Sequence, residues 1–116
     1  MNSNILKVRS KLMKAYEMRA HILKAMAHPS RLMMIDAMNE GGEMCVQELV
    51  ELVGSDQSTV SKHLGILKQV GIVDDRKEGQ RSFYRVVRPC VMNFFECVER
   101  VMEENLEIQK EMVRTR

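Results

Sequence analysis

Apolar residues recur every three to four positions over residues 5–25, with Ile5, Leu12, Tyr16, Ile22 and Leu23 near one face. That period predicts an amphipathic helix. "HPSR" at 28–31 interrupts it, and Pro29 is well placed to open a second helix through "SRLMMIDAMNE" that stops at Gly41-Gly42. A third helix of about two turns is expected over "VQELVELV", ending at Gly54. Ser55 or Asp56 then caps a fourth, "QSTVSKHLGILK", which ends near Gly71. There the pattern changes. "GIVDDRK" and "QRSFYRVV" are β-branched and aromatic runs on either side of Glu78-Gly79, as in a hairpin. Pro89 begins a last, glutamate-rich helix, "PCVMNFFECVERVMEENLEIQKEM", long enough to project from the domain.

The expected architecture is mainly α with a β-hairpin wing, an α+β arrangement in one domain. Its parts are an N-terminal helix (1–25), a helix-turn-helix (46–70), a wing (71–88) and a C-terminal helix (89–113). Two short helices across a Gly-containing turn, followed by a basic hairpin, make a winged helix-turn-helix. In the fourth helix Val60, Leu64 and Leu67 form a stripe for the core. Gln57, Ser58, Thr59, Ser61, Lys62 and His63 occupy the other side and the N-terminal end. The major groove of DNA accepts an α-helix, and its base edges need short side chains that donate and accept. Gln57 suits adenine; Ser58, Thr59 and Ser61 suit bases or phosphate; Lys62 and Lys68 suit phosphate. In the hairpin Arg76, Lys77, Gln80, Arg81 and Tyr84 could straddle a phosphate backbone or enter the minor groove. A polar helix face alone is most simply a solvated surface. The basic hairpin beside it turns the reading to DNA. His63 keeps two readings, a phosphate contact or a hydrogen bond within the domain.

Composition narrows this further. A chain of 116 residues, 45% hydrophobic and 29% charged, fits one globular domain. Aromatic residues are 4% and tryptophan is absent, so the core must be aliphatic, with the eleven methionines suited to its irregular gaps. The net charge of +2 is weak evidence for a polyanion partner, but its distribution is uneven. Lys7, Arg9, Lys11, Lys14, Arg19, Lys24 and Arg31 stand against a single acid in residues 1–35, and the acids gather at 36–56 and 96–111. Such segregation permits a basic face on a nearly neutral protein. No apolar run nears the roughly 18 residues that span a bilayer. The N-terminus lacks a secretory h-region, so a cytoplasmic protein without a membrane partner is expected. No nucleophile, base and orienting acid recur at a recognisable spacing, and no Gly-rich loop cradles phosphate, so no enzyme and no organic cofactor are expected.

"LKAMAHPSRLMMIDAM" and "MCVQELVELVGSDQSTVSKHLGILKQVGIVDDRKEGQRSFYRV" together resemble the arsenic-repressor (ArsR/SmtB) family of winged-helix regulators over about residues 20 to 88. The resemblance implies a homodimer, paired through its first and last helices on an inverted-repeat operator. It also implies release by an inducer, commonly a metal or metalloid ion.

Three cysteines, an odd count, point in a reducing compartment to metal binding or redox sensing rather than to bridges. Cys45 in "EMCV" resembles the first cysteine of the family's "CVC" arsenic site, but Gln47 stands at the second position. The family's other familiar site, a histidine and carboxylate cluster on the last helix, is not expected, because His21, His28 and His63 lie elsewhere. Cys90 and Cys97 lie on one face of that helix and resemble a version of the site in which cysteines start it. A regular helix separates them by about 10.5 Å along its axis, whereas two sulfurs on one ion lie within about 4.6 Å. A shared site therefore needs irregular backbone beside Pro89, or a thiolate from the partner chain. Thiolates without nitrogen or carboxylate partners favour soft ions. Arsenite bound by Cys45, Cys90 and Cys97 is the first expectation, then cadmium or lead, then redox or persulfide sensing. The alternative to a thiolate site is that each cysteine is a small buried hydrophobe.

Overall fold

A computed structural model describes residues 3–114 of the protein. The elements run α1 (Ser3–Met26), α2 (Pro29–Gly41), β1 (Met44–Cys45), α3 (Val46–Val53), α4 (Gln57–Gln69), β2 (Val73–Glu78), β3 (Arg81–Val86) and α5 (Val91–Arg114). The three strands form one antiparallel sheet in the order β1-β3-β2. This is the winged helix-turn-helix expected, mainly helical, with one strand more than the hairpin.

The chain's own punctuation sets the boundaries. His28 caps α2, its Nδ1 accepting the Ser30 backbone N–H at 3.1 Å, and Pro29 supplies a first helical residue that has no N–H to satisfy. Gly54 ends α3 in the left-handed region at φ 75°, its N–H bonded to the Val50 carbonyl at 2.9 Å. Asp56, rather than Ser55, caps α4 through a 2.7 Å bond from the Thr59 N–H to Oδ1. Gly79, at φ 63°, lets the hairpin reverse between β2 and β3.

Met34, Ile35, Leu49, Val60, Leu64 and Leu67 are wholly buried, and Met26, Met38, Ile72, Val73 and Phe95 pack with them in the core. Burying each such side chain stabilises the fold by about 1.5–3 kcal/mol. The methionines do less of this than composition suggests. Met26, Met34 and Met38 are buried, but Met13, Met18, Met33, Met102 and Met112 are exposed. Most of those lie on α1 and α5, which extend from the body as arms. Only Ala25 and Met26 of α1, and Phe95 of α5, are buried. The radius of gyration is 19.0 Å, against about 13 Å for a compact domain of this length.

Candidate nucleic-acid interface

Successive α4 side chains step by about 100° around the helix axis, so the buried Val60, Leu64 and Leu67 divide the rest into three sets. Ser58 and Lys62 point furthest from the core and are exposed. Gln57, Ser61 and Lys68 lie on the flank towards the wing. Thr59 and His63 lie on the opposite flank, towards α2.

The wing-side flank opens on a largely polar cleft of about 400 Å³ lined by Gln47, Gln57, Ser61, Gln80, Arg81, Ser82 and Tyr84, together with Cys45 and Val46. It therefore gathers the start of α3, the start of α4 and the hairpin tip. Amides, hydroxyls and one guanidinium line it. Such a set can hydrogen-bond phosphate oxygens and base edges together. Gln47 and Ser82 were absent from the residues singled out by sequence. Gln47 stands where the family's arsenic site has a cysteine and carries no local sign of a DNA contact, and nothing local marks a serine within a strand as lining a cleft.

Two of the expected DNA cations are engaged within the protein. Lys68 Nζ lies 2.6 Å from Asp75 Oδ1, tying the last turn of α4 to β2. This pairing raises the lysine's pKa above its ordinary value, so Lys68 stays charged but its charge is matched. Arg76 is held more fully. Its Nε donates to both Glu43 oxygens at 2.8 and 2.9 Å, and another guanidinium nitrogen reaches Glu78 at 3.0 Å. The guanidinium also lies 4.8 Å from the centre of the Phe83 ring, its partner across the hairpin. Directly opposed residues share a sheet face. Asp75 and Tyr84 thus face α4, while Arg76 and Phe83 lie on the other side. Tyr84 packs against the core as well as lining the cleft. By contrast Lys62, Lys77 and Arg81 are exposed and make no ion pair among the described residues.

His63 turns inward. Its Nδ1 accepts from Arg31 Nε at 2.9 Å, and its ring lies 4.5 Å from that of His28. Of its two readings, this geometry matches the hydrogen bond within the domain.

The cysteines are dispersed. Cys45 is buried where β1 meets α3, its N–H donated to Glu48 Oε1 at 3.2 Å. Cys90 and Cys97 are exposed, the first in the turn that opens α5 and the second within the helix. Among the described residues no three His, Cys, Asp or Glu side chains come together as a metal-holding group. One chain therefore does not assemble the three-thiolate set expected of Cys45, Cys90 and Cys97. No helix of the described residues is long and apolar enough to cross a membrane.

Residues 28–75 match the family described as bacterial regulatory proteins of the arsR type. An HTH-type transcriptional regulator of Methanocaldococcus jannaschii is 41% identical over 75% of this chain and 98% of its own. The homodimeric winged helix-turn-helix DNA-binding domain from Mycobacterium bovis superposes with a TM-score of 0.71, at 32% identity over 84% of this chain and 89% of that one. The antimony-specific transcriptional repressor AntR gives a TM-score of 0.64, at 30% identity over 74% and 78% of the two chains. With the exposed polar face of α4 set beside the wing cleft, these likenesses make DNA binding, and not catalysis, the work of this fold. The chain belongs to the arsR family of DNA-binding transcriptional repressors.

Proposed function

We propose that this repressor acts as a homodimer on an inverted-repeat operator and is released when a thiophilic inducer, arsenite before others, binds cysteine thiolates. The pairing is supported by the two arms. α1 exposes Ile5, Leu12 and Tyr16, and α5 exposes Phe94, Val98 and Val101. A small domain that shows such faces alone has reason to cover them with a second copy. Two α4 helices would then enter successive major grooves, centred about 34–36 Å apart. Lys62, Lys77 and Arg81 would contact phosphate, and Gln57, Ser58 and Ser61 would read bases.

The observation that carries the inducer reading is the place of Cys90. It lies in residues 87–90, the link between the last wing strand and α5. Its carbonyl accepts the Asn93 N–H at 3.2 Å in the opening turn. A soft trivalent ion prefers thiolates, and Cys90 and Cys97 are the exposed ones. Bringing them together requires that turn to loosen, or a thiolate of the second subunit to join. The first change reaches the wing directly. The antimony specificity of AntR fits the same sulfur chemistry, since antimony and arsenic are both thiophilic. Cys45, buried and tied through its backbone, is the weakest candidate for third ligand. Cadmium or lead would use the same pair. A second reading, redox or persulfide sensing, draws on the same two exposed thiols.

Reduced protein on its own promoter fragment, challenged separately with arsenite, cadmium, zinc and a persulfide donor, tests this. Arsenite should release the DNA, and Cys90→Ser and Cys97→Ser should each keep operator binding but lose release. Cys45→Ser should respond normally. Release by arsenite in all three single variants would rule out the thiolate site, and release by the persulfide donor alone would select the second reading.

A further inference from the structure

The apolar stripe of α4 fixes which face of the helix is buried, while hydrogen bonds and ion pairs, being directional, refine its roll. Polar clasps on the two flanks do this. On the wing side it is Lys68–Asp75. On the other side Arg31, from the first turn of α2, donates Nε to His63 Nδ1 at 2.9 Å and another guanidinium nitrogen to the Ala25 carbonyl of α1 at 3.0 Å. One side chain therefore joins the base of the α1 arm to the DNA-reading helix.

This clasp depends on a lone pair. His63 Nδ1 accepts, so a proton added there would set an N–H against the Arg31 N–H and a second cation beside the guanidinium. The groups that act on the His63 charge are Arg31 of α2, His28, which caps that helix, and Lys62 of α4. None of them is a carboxylate. The His28 ring, 4.5 Å away, cannot easily turn to help, because its own Nδ1 caps α2 through Ser30.

We propose that Arg31 is a positioning residue that refines the roll of α4 through His63, and that protonation of His63 opens this clasp and weakens operator binding. Burial first, and then the positive charges of Arg31, His28 and Lys62, hold the imidazole below its ordinary value of 6.5. The sign follows from linkage. The clasp is complete above the ordinary value and is lost as pH falls through the lowered one. A histidine that merely touched DNA would act the other way, since added positive charge tightens binding to phosphate.

The test uses the whole protein and an operator fragment selected from a random-sequence pool at pH 7.5. Affinity is measured from pH 8 to 5.5 at constant ionic strength. Specific affinity should fall about tenfold on acidification, within the usual range for coupled sites, while binding to a random fragment holds or rises. Within each variant the ratio of affinities at the two pH limits is compared. His63→Gln, whose amide stays neutral, should show a ratio near that of random DNA. Arg31→Lys keeps a cation without the two-armed guanidinium and should show the same. Wild type and His63→Gln with equal ratios, or a wild type that binds its operator more tightly in acid, would overturn the proposal. A second measurement needs no variant. Reciprocity requires the His63 imidazole, followed by NMR, to titrate at lower pH in the operator complex than in the free protein. Coincident titrations would equally overturn it.

Discussion

Lys68 Nζ and Asp75 Oδ1, 2.6 Å apart, join the end of the recognition helix to the wing. A cation matched in this way displaces few counterions when DNA binds. Lys68→Ala should therefore lower operator affinity through loss of wing position, with little change in the salt dependence. Lys62→Ala should weaken specific and random DNA alike, and reduce the slope of log K against log salt by about 0.9 per protomer. Equal slope changes for the two variants would place Lys68 on phosphate.

The Glu43–Arg76 pair gives the converse experiment. Glu43→Gln removes the main partner of Arg76 and should raise affinity for random DNA and steepen the salt slope. Arg81→Gln should flatten it. The hydrogen bonds from Arg76 hold the Glu43 carboxyl below its ordinary value of 4.5. The pair's contribution is thus present above that value and is lost only as pH falls through the lower, folded one. Between pH 5 and 8 the wild-type Arg76 should stay masked, so any change of slope in that range must arise elsewhere.

Gln57 lies at the first position of α4, exposed, and beside the cleft. Gln57→Ala should relax preference at particular base pairs, costing about 1–3 kcal/mol of discrimination. Competition between single-base operator variants measures this. Equal losses on specific and random DNA would remove its base-reading role.

Leu64 is wholly buried between the helices of the reading head. Leu64→Ala should destabilise the protein by about 2–5 kcal/mol. Urea unfolding should show a lower midpoint with an unchanged slope, at fixed protein concentration because pairing contributes to apparent stability.

Much of the fold was legible because strong local signals mark it. Pro29, Gly41-Gly42 and Gly54 delimit α2 and α3, and the spacing of Val60, Leu64 and Leu67 identified the buried side of α4. Strand β1 was not legible, because two residues carry no period; only its pairing of Met44 and Cys45 with Tyr84 and Phe83 defines it. Charge was read less well than hydrophobicity. Arg76 looked like a DNA contact because its basic neighbours are close in sequence, whereas Glu43, which engages it, is 33 residues away. The Arg31–His63 bond spans 32 residues and was hidden for the same reason. The exposed methionines show a further limit. Composition counts apolar side chains but does not say which of them a single chain can cover.

Leu49, Val60, Leu64 and Leu67 are fully enclosed within one chain, so the reading head is complete before any second copy arrives. In the proposed pair, identical heads therefore grip identical half-sites, and their separate contributions multiply. A substitution that weakens one head by about tenfold would weaken the pair by about a hundredfold. Small adjustments to a single side chain then become large changes in gene output, and a mixed pair of mutant and wild-type chains would fall midway on a logarithmic scale.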